Sequence, residues 1–401
     1  MNDLRFSDRQ LRDLLLPLVV EQTLVMLVGM ADTVMVSKLG DAAVSGVSLV
    51  DQICNVIIAL LAALATGGAV VASQMIGANR RDDACRVSNQ LVLVVSGVAL
   101  AIMVPVLAFR QQLLSLMFQQ VEPDVMSNAL TYLEITAISY PFIAIYNAGT
   151  ALYRSMNRSN TTMKVSMLVN IINIGGNALF VYGLGSGVEG VAIPTLVSRM
   201  TGAVCMMLLL RDRHLQLHLM PGAWKPNLQM MKHILGIGIP NGLENSLFQL
   251  GRLLVVGVIT AFGTVQITAN AVANVMDSIG VLPGQAMNLA IITVVGQCVG
   301  AGDYKQARYY IKKLLLWAYI GTWMVNIPLL SLLRVILPIF KVSGDALNLA
   351  WIRCVYETAF HSDLRTTAWT YLPLSPFIFR TVREMPPERS FSILSRAPEA
   401  A

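Results

Sequence analysis

Five acidic residues fall inside long apolar runs: Glu21, Asp32, Asp51, Glu244 and Asp277. A carboxylate inside a membrane is expensive, so such residues are functional candidates by default. There a carboxyl can take up and release a proton, or hold Na+ with neighbouring oxygens. Glu21 and Asp32 share one predicted helix, and their spacing puts them on nearly the same face. Asn170, Asn173 and Asn177 recur at helical spacing further along, and Thr195 follows Pro194 in the next apolar run. Amide and hydroxyl oxygens are hard ligands of the kind a small cation takes beside a carboxylate. The alternative role for these residues is hydrogen bonding between helices, which Asn and Thr commonly supply in membranes.

The elements that carry these residues are membrane helices. Hydrophobic residues make up 55% of the 401 and charged residues 13%, against roughly 45–50% and 25% in soluble domains. Runs of about 20 apolar residues are long enough to cross a bilayer. They lack the alternation of barrel strands, so the expected fold is all-α and polytopic. Predicted helices cover 14–36, 45–76, 89–109, 126–152, 162–184 and 188–211. A polar linker at 212–231 follows, then helices at 233–261, 267–299, 307–340 and, more weakly, 345–364. This divides the chain into a first lobe (1–211), a cytoplasmic linker (212–231), a partial second lobe (232–364) and a polar tail (365–401).

The lobes repeat each other. Pro17 and Glu21 return as Pro240 and Glu244, and Gln74-Met75-Ile76-Gly77-Ala78 returns as Gln297-Cys298-Val299-Gly300-Ala301. Duplicated apolar bundles with polar residues in their spans are the usual plan of secondary transporters. The symmetry breaks at Asp32, whose counterpart is Val255, while Asp51 aligns with Asn274. A site present in one half only is what a coupling-ion site would look like. Basic residues gather in alternate loops (Arg80, Arg81 and Arg86; Arg154, Arg158 and Lys164; Arg211, Arg213, Lys225 and Lys232; Lys305, Arg308, Lys312 and Lys313). By the positive-inside rule these loops and the N-terminus are cytoplasmic. With six spans before the linker, the lobes are parallel repeats.

Other features exclude more than they suggest. The net charge of +6 is spread between spans rather than over one face, which argues against nucleic acid. The five cysteines form no C-x-x-C pair, and His214, His218 and His233 read as solvated linker residues. No phosphate-binding G-x-x-x-x-G-K-S/T motif is present, and the Gly-Ala clusters at Ala65–Ala69 and Gly175–Gly176 read as close helix packing. The 21 methionines could contribute an adaptable surface for varied ligands.

Several motifs together resemble the multidrug and toxic compound extrusion (MATE) transporters. They are Met30-Ala31-Asp32-Thr33-Val34-Met35-Val36, the Gln74–Ala78 turn, Asn177–Gly183, Gly190–Thr195 and Gln297–Asp303, within a resemblance that spans residues 10–350. The resemblance implies twelve helices in two six-helix lobes. It also implies efflux of cationic or amphipathic compounds from the bacterial inner membrane by H+ or Na+ antiport, with no enzymatic activity and no cofactor beyond the ion. Its amino-terminal cation site falls on Asp32, Asn173, Asn177 and Thr195, with Na+ at Asp32 and Asn177 as one alternative. Residue 177 is an acid in some members of the family and Asn here. Glu244 resembles an acidic position of the second lobe. With Asp277, Glu21 and Asp51 it makes up a candidate set of acids for that lobe and the substrate cavity. The expected partners are drug-like small molecules and the lipid bilayer, with the chain a monomer.

The ending departs from that pattern. From about residue 364 the chain turns Arg- and Pro-rich, Tyr371–Phe379 is too short and too Pro-broken to span, and Pro386-Pro387 reads as disordered. We expect a frameshift or truncation here, which would leave an inactive copy as one reading of the whole. Two other functions compete: a lipid-linked oligosaccharide flippase of related architecture, which would need basic residues in its cavity, and a membrane enzyme, which would need a catalytic cluster. On the frameshift reading, the coding DNA beyond codon 364 should hold an alternative frame that encodes apolar spans. Finding none would remove that explanation.

Overall fold

The computed structural model describes residues 4–117, 122–222, 224–260, 264–336 and 348–355, and every regular element among them is helical. The helices are α1 (Asp8–Val36), α2 (Asp41–Gly77), α3 (Arg81–Ala108), α4 (Arg110–Met117), α5 (Pro123–Ile138) and α6 (Tyr140–Ser155). They continue with α7 (Ser159–Ala178), α8 (Glu189–Leu209), α9 (Leu228–Thr260), α10 (Thr264–Gly280), α11 (Leu282–Gly300) and α12 (Tyr304–Ile336). Residues 348–355, inside the predicted 345–364 helix, are helical too; the rest of that helix and the 365–401 tail lie outside the described residues. Among the described residues seven helices are long and apolar enough to cross a membrane, and α5 and α6 together, bent at their junction, pass the same test of length and composition as a pair. Asn241, Glu244, Asn245 and Arg252 interrupt the apolar run of α9, which is not among the seven.

Local chemistry sets the ends and the breaks. α1 starts at a reciprocal cap: the Gln10 N–H donates to Ser7 Oγ at 3.3 Å, and the Ser7 N–H donates to Gln10 Oε1 at 2.9 Å. The predicted 126–152 helix is really two, bent by 45° at Ser139. Pro141 has no N–H to continue the ladder, and Ser139 Oγ turns back to donate to the Thr136 carbonyl at 2.6 Å. Likewise 267–299 breaks at Val281, two residues before Pro283. The end of 162–184 widens into a π-turn over Leu179–Gly183. α4 was not foreseen, being a single short helix too polar to register as a span.

The chain forms two compact units, Met1–Arg252 with Leu289–Gly302, and Leu253–Asn288 with Asp303–Ala401. In the second unit Ala269, Ala273 and Met276 of α10 bury a small core with Leu333, Ala350 and Cys354. In the first, α2 packs against α3, α5 and α6, α1 against α7, and α8 against α6 and α7. Close approaches within the unit, the α2–α9 contact included, use small residues to bring backbones together. A Cβ on Gly67 would sit 2.7 Å from the Gly238 nitrogen, and one on Gly176 would sit 2.7 Å from Pro194 Cβ. Gly175 differs from its neighbour: it faces open space.

The repeated turn explains why the first unit takes in the end of α11. A Cβ on Gly77 would fall on the carbonyl oxygen of Gln297, and a Cβ on Gly300 would fall on the carbonyl oxygen of Gln74. The contact is reciprocal, each repeat's glycine resting on the other's glutamine. Both turns then make the same bonds: Ala78 N to Gln74 O at 2.9 Å and Ala301 N to Gln297 O at 3.1 Å. Each passes through a residue with positive φ, Asn79 at 58° and Gly302 at 74°.

The linker is strapped rather than loose. Leu215, Leu217 and Leu219 are buried in alternation, the period of an extended segment. On α3, Asn89 exchanges two hydrogen bonds with the Met220 backbone at 2.9 and 3.0 Å. Gln90 donates to Lys225 O at 2.8 Å and accepts from Asn227 N at 2.9 Å. Arg81 donates to the carbonyls of Arg213 and Leu215 at 2.9 and 2.7 Å. His218, expected to be solvated, is half-buried with Nδ1 3.4 Å from Cys85 Sγ.

Overpacking a helix interface costs about 1–3 kcal/mol, and here the obstacle is backbone. Gly77→Val and Gly300→Val should each lower the melting temperature of the purified protein in detergent. Gly97→Ala, where a Cβ meets nothing within 4 Å, should leave it unchanged or raise it.

Candidate functional site

Parallel packing of α1 on α7, with Leu14 beside Ser159, Glu21 beside Thr162 and Asp32 beside Asn177, brings the predicted constellation together. Asn177 Nδ2 donates to Asp32 Oδ1 at 2.6 Å and to Asn173 Oδ1 at 3.3 Å. Asn173 Nδ2 donates to Thr195 Oγ1 at 3.0 Å, and that hydroxyl donates to the Val191 carbonyl one turn back at 2.9 Å. One chain of hydrogen bonds thus ties α1, α7 and α8, with Asp32 at its half-buried end and Asn173, Asn177 and Thr195 buried. The Gly176–Pro194 contact lets α7 and α8 approach closely enough for the Asn173–Thr195 bond. Asn177 Oδ1 is buried with no hydrogen-bond partner. That acceptor suits a proton donor or a small cation placed beside Asp32.

Asp51 belongs to the same neighbourhood. Its carboxylate accepts from Tyr132 Oη of α5 at 3.3 Å and lies within electrostatic reach of Asp32. Arg199, one helical turn beyond Thr195 on α8, interacts electrostatically with both acids. Its Nη1 donates to Ser139 Oγ, at the α5–α6 bend, at 2.6 Å. The sequence reading passed over Arg199, although a basic residue in the middle of the predicted 188–211 span carries the same signal as an acid does.

Glu21 lies elsewhere and does different work. It is 3% exposed, pairs with Arg154 Nη2 at 2.5 Å and accepts from Thr162 Oγ1 at 2.9 Å. Its place on the same face of α1 as Asp32 holds, since both meet α7, but at opposite ends. Both of its carboxylate oxygens are taken up inside the first unit. Arg154 and its neighbour are tied in turn to α11, where Thr293 donates to the Arg154 carbonyl at 3.2 Å and Gln297 Nε2 to the Ser155 carbonyl at 2.7 Å. Glu244 is half-buried on α9, and Asp277 is half-buried on α10 in the second unit. Asn274, the counterpart of Asp51, accepts from Arg353 at 3.3 Å.

The MatE family model matches residues 17–179 and 240–352. The chain belongs to the MatE family. Among its relatives, the probable multidrug resistance protein NorM of Thermotoga maritima is 27% identical over 383 residues, covering 91% of this chain and 81% of its own. The uncharacterized transporter YisQ of Bacillus subtilis is 27% identical over 307 residues, covering 75% and 67%. A solved structure of MATE in the bent conformation superposes with TM-score 0.78 at 21% identity, covering 91% of this chain and 82% of its own. An outward-facing MATE family transporter of the MOP superfamily gives 0.79 at 20%, with the same coverages. The chain is accordingly an all-α, multi-pass membrane transporter of a multidrug-extrusion family.

Removing one member of a buried ion pair costs about 3–5 kcal/mol, because the other charge is left uncompensated. Glu21→Leu should therefore strongly lower the thermal stability of the purified protein. Adding Arg154→Met should restore part of the loss, which a differential scanning measurement of the three variants would show.

Proposed function

We propose that the chain is a cation-coupled antiporter that exports cationic or amphipathic drug-like compounds by alternating access. The observation that carries this reading is the hydrogen-bonded chain Asp32–Asn177–Asn173–Thr195, in which one buried acceptor beside Asp32, Asn177 Oδ1, has no partner. Multidrug relatives such as the Thermotoga NorM support the substrate class.

The site suggests how coupling works. With Asp32 ionised, Asn177 spends its amide donor on that carboxylate, and α1 is pinned to α7. A proton on Asp32 makes it a donor, for which the free Asn177 Oδ1 is the matching acceptor. The bond then reverses polarity and the α1–α7 contact must readjust. Only a ligand that binds two conformations unequally can move the equilibrium between them, and this bond supplies such a difference. The coupling ion is H+ or Na+. Asn in place of an acid at residue 177, with Arg199 offsetting Asp51, leaves little negative charge for a metal cation, and this favours H+.

The chain is read as a monomer in the bacterial cytoplasmic membrane with its N-terminus inside. Arg5 donates to the Gly77 carbonyl at 3.1 Å and Arg81 holds the linker, so basic groups of the N-terminus, the first cytoplasmic loop and the linker share one end. A lipid-linked oligosaccharide flippase is the second reading, and Arg199 is the observation in its favour.

Cells expressing the chain should expel a fluorescent cationic dye, and Asp32→Asn should reduce that export by an order of magnitude or more. Export should collapse with a protonophore and persist without Na+. Asn177→Asp should bring in a Na+ requirement. Export unaffected by Asp32→Asn would remove the coupling role.

A further inference from the structure

Arg199 stands out among the charges of the first unit. It lies near the middle of the 21-residue helix α8, where an arginine is costly. No carboxylate among the described residues lies within ion-pairing distance of it, and its one hydrogen bond there is to the neutral Ser139 Oγ. A guanidinium offers five N–H donors in a planar fork, so most of this fork is uncommitted. The side chain is half-buried, facing the region shared with Asp32 and Asp51, which are themselves half-buried and engaged with Asn177 and Tyr132. Positive and negative groups therefore stand side by side without cancelling by direct contact.

We propose that Arg199 binds the acidic group of an amphoteric substrate, whose amine is received by Asp51 and Asp32. The inference rests on the export reading and narrows its substrate class: molecules carrying both a carboxylate, or a similar oxyanion, and a basic nitrogen. The guanidinium fork matches an oxyanion in two parallel hydrogen bonds, which a lysine ammonium cannot reproduce. Ser139 fixes the fork from behind, at the α5–α6 bend. A purely cationic molecule gains nothing from Arg199 and meets its charge as repulsion, so it should bind more weakly while still reaching the acids.

The test uses the full chain in lipid nanodiscs and two dyes, a rhodamine with a free carboxylate and its ethyl ester, followed by fluorescence anisotropy. Wild type should bind the carboxylate dye about tenfold or more tightly than the ester. Arg199→Met should erase that preference, with ester binding unchanged or improved. Arg199→Lys, which keeps the charge but loses the fork, should retain part of it. Equal affinities in wild type, no binding of the carboxylate dye, or parallel loss of both dyes in the two variants would overturn the assignment. Efflux of the same dyes from cells separates the two readings. Selective binding without export supports Arg199 as the recognition point and counts against the antiporter, whereas export without the carboxylate preference does the reverse.

Discussion

Inside an apolar helix bundle a polar side chain must find a partner or carry a large desolvation penalty. This constraint organises the first unit. Thr162, Ser166, Asn170, Asn173 and Asn177 follow one another along a single face of α7, all buried. The stripe meets the Glu21–Arg154 pair at one end and Asp32 at the other. At the Glu21 end the carboxylate itself is satisfied: it has a cation and a hydroxyl, and the Arg154 and Ser155 carbonyls are tied to α11, although Arg154 Nε is buried without a partner. Toward Asp32 it is incomplete, with Asn170 Nδ2 and Asn177 Oδ1 both buried and unpartnered. The finished end is a fastening. The unfinished end can change its bonding when a proton or a ligand arrives.

The second organising contact is steric. Gly77 and Gly300 each occupy a place where a methyl group would strike the other repeat's backbone, so the two Gln-x-x-Gly-Ala turns interlock at van der Waals distance. A Cβ at Gly296 would likewise sit 2.7 Å from the Cβ of Ser73, its counterpart in the first repeat. The sequence repeat and the spatial pairing are thus the same fact. It is also why the unit containing the first repeat takes in the end of α11.

Much of this was legible in the residues alone. Intramembrane acids and the Asn ladder mark chemistry that apolar helices do not tolerate by chance, and Asp32, Asn173, Asn177 and Thr195 do meet. The reading failed where two signals overlap. Pro141 and Pro283 fall within the continuous predicted helices 126–152 and 267–299, yet each follows closely on a true break, because hydropathy averages over a bend. Glu21 and Asp32 look alike in sequence; only the third dimension shows that Arg154 neutralises one of them. Arg199 carries the same intramembrane-charge signal as the acids, with the opposite sign. The alternation Leu215-x-Leu217-x-Leu219 likewise spelled out an extended buried segment within what composition labelled a linker.

That strapped segment has a mechanical meaning. A flexible tether lets the elements at its two ends turn independently, its slack absorbing the rotation. Between Leu210 and Asn227 there is little slack: the Leu219 N–H bonds back to the Leu210 carbonyl at 2.8 Å, and Asn227 is held to Gln90. The Asn227 side chain in turn caps the start of α9, accepting from Gln229 N and Met230 N, both at 3.1 Å. Torque applied at the beginning of α9 therefore passes through a few hydrogen bonds into α3. The passage from one repeat to the next is a stiff coupling, more axle than string.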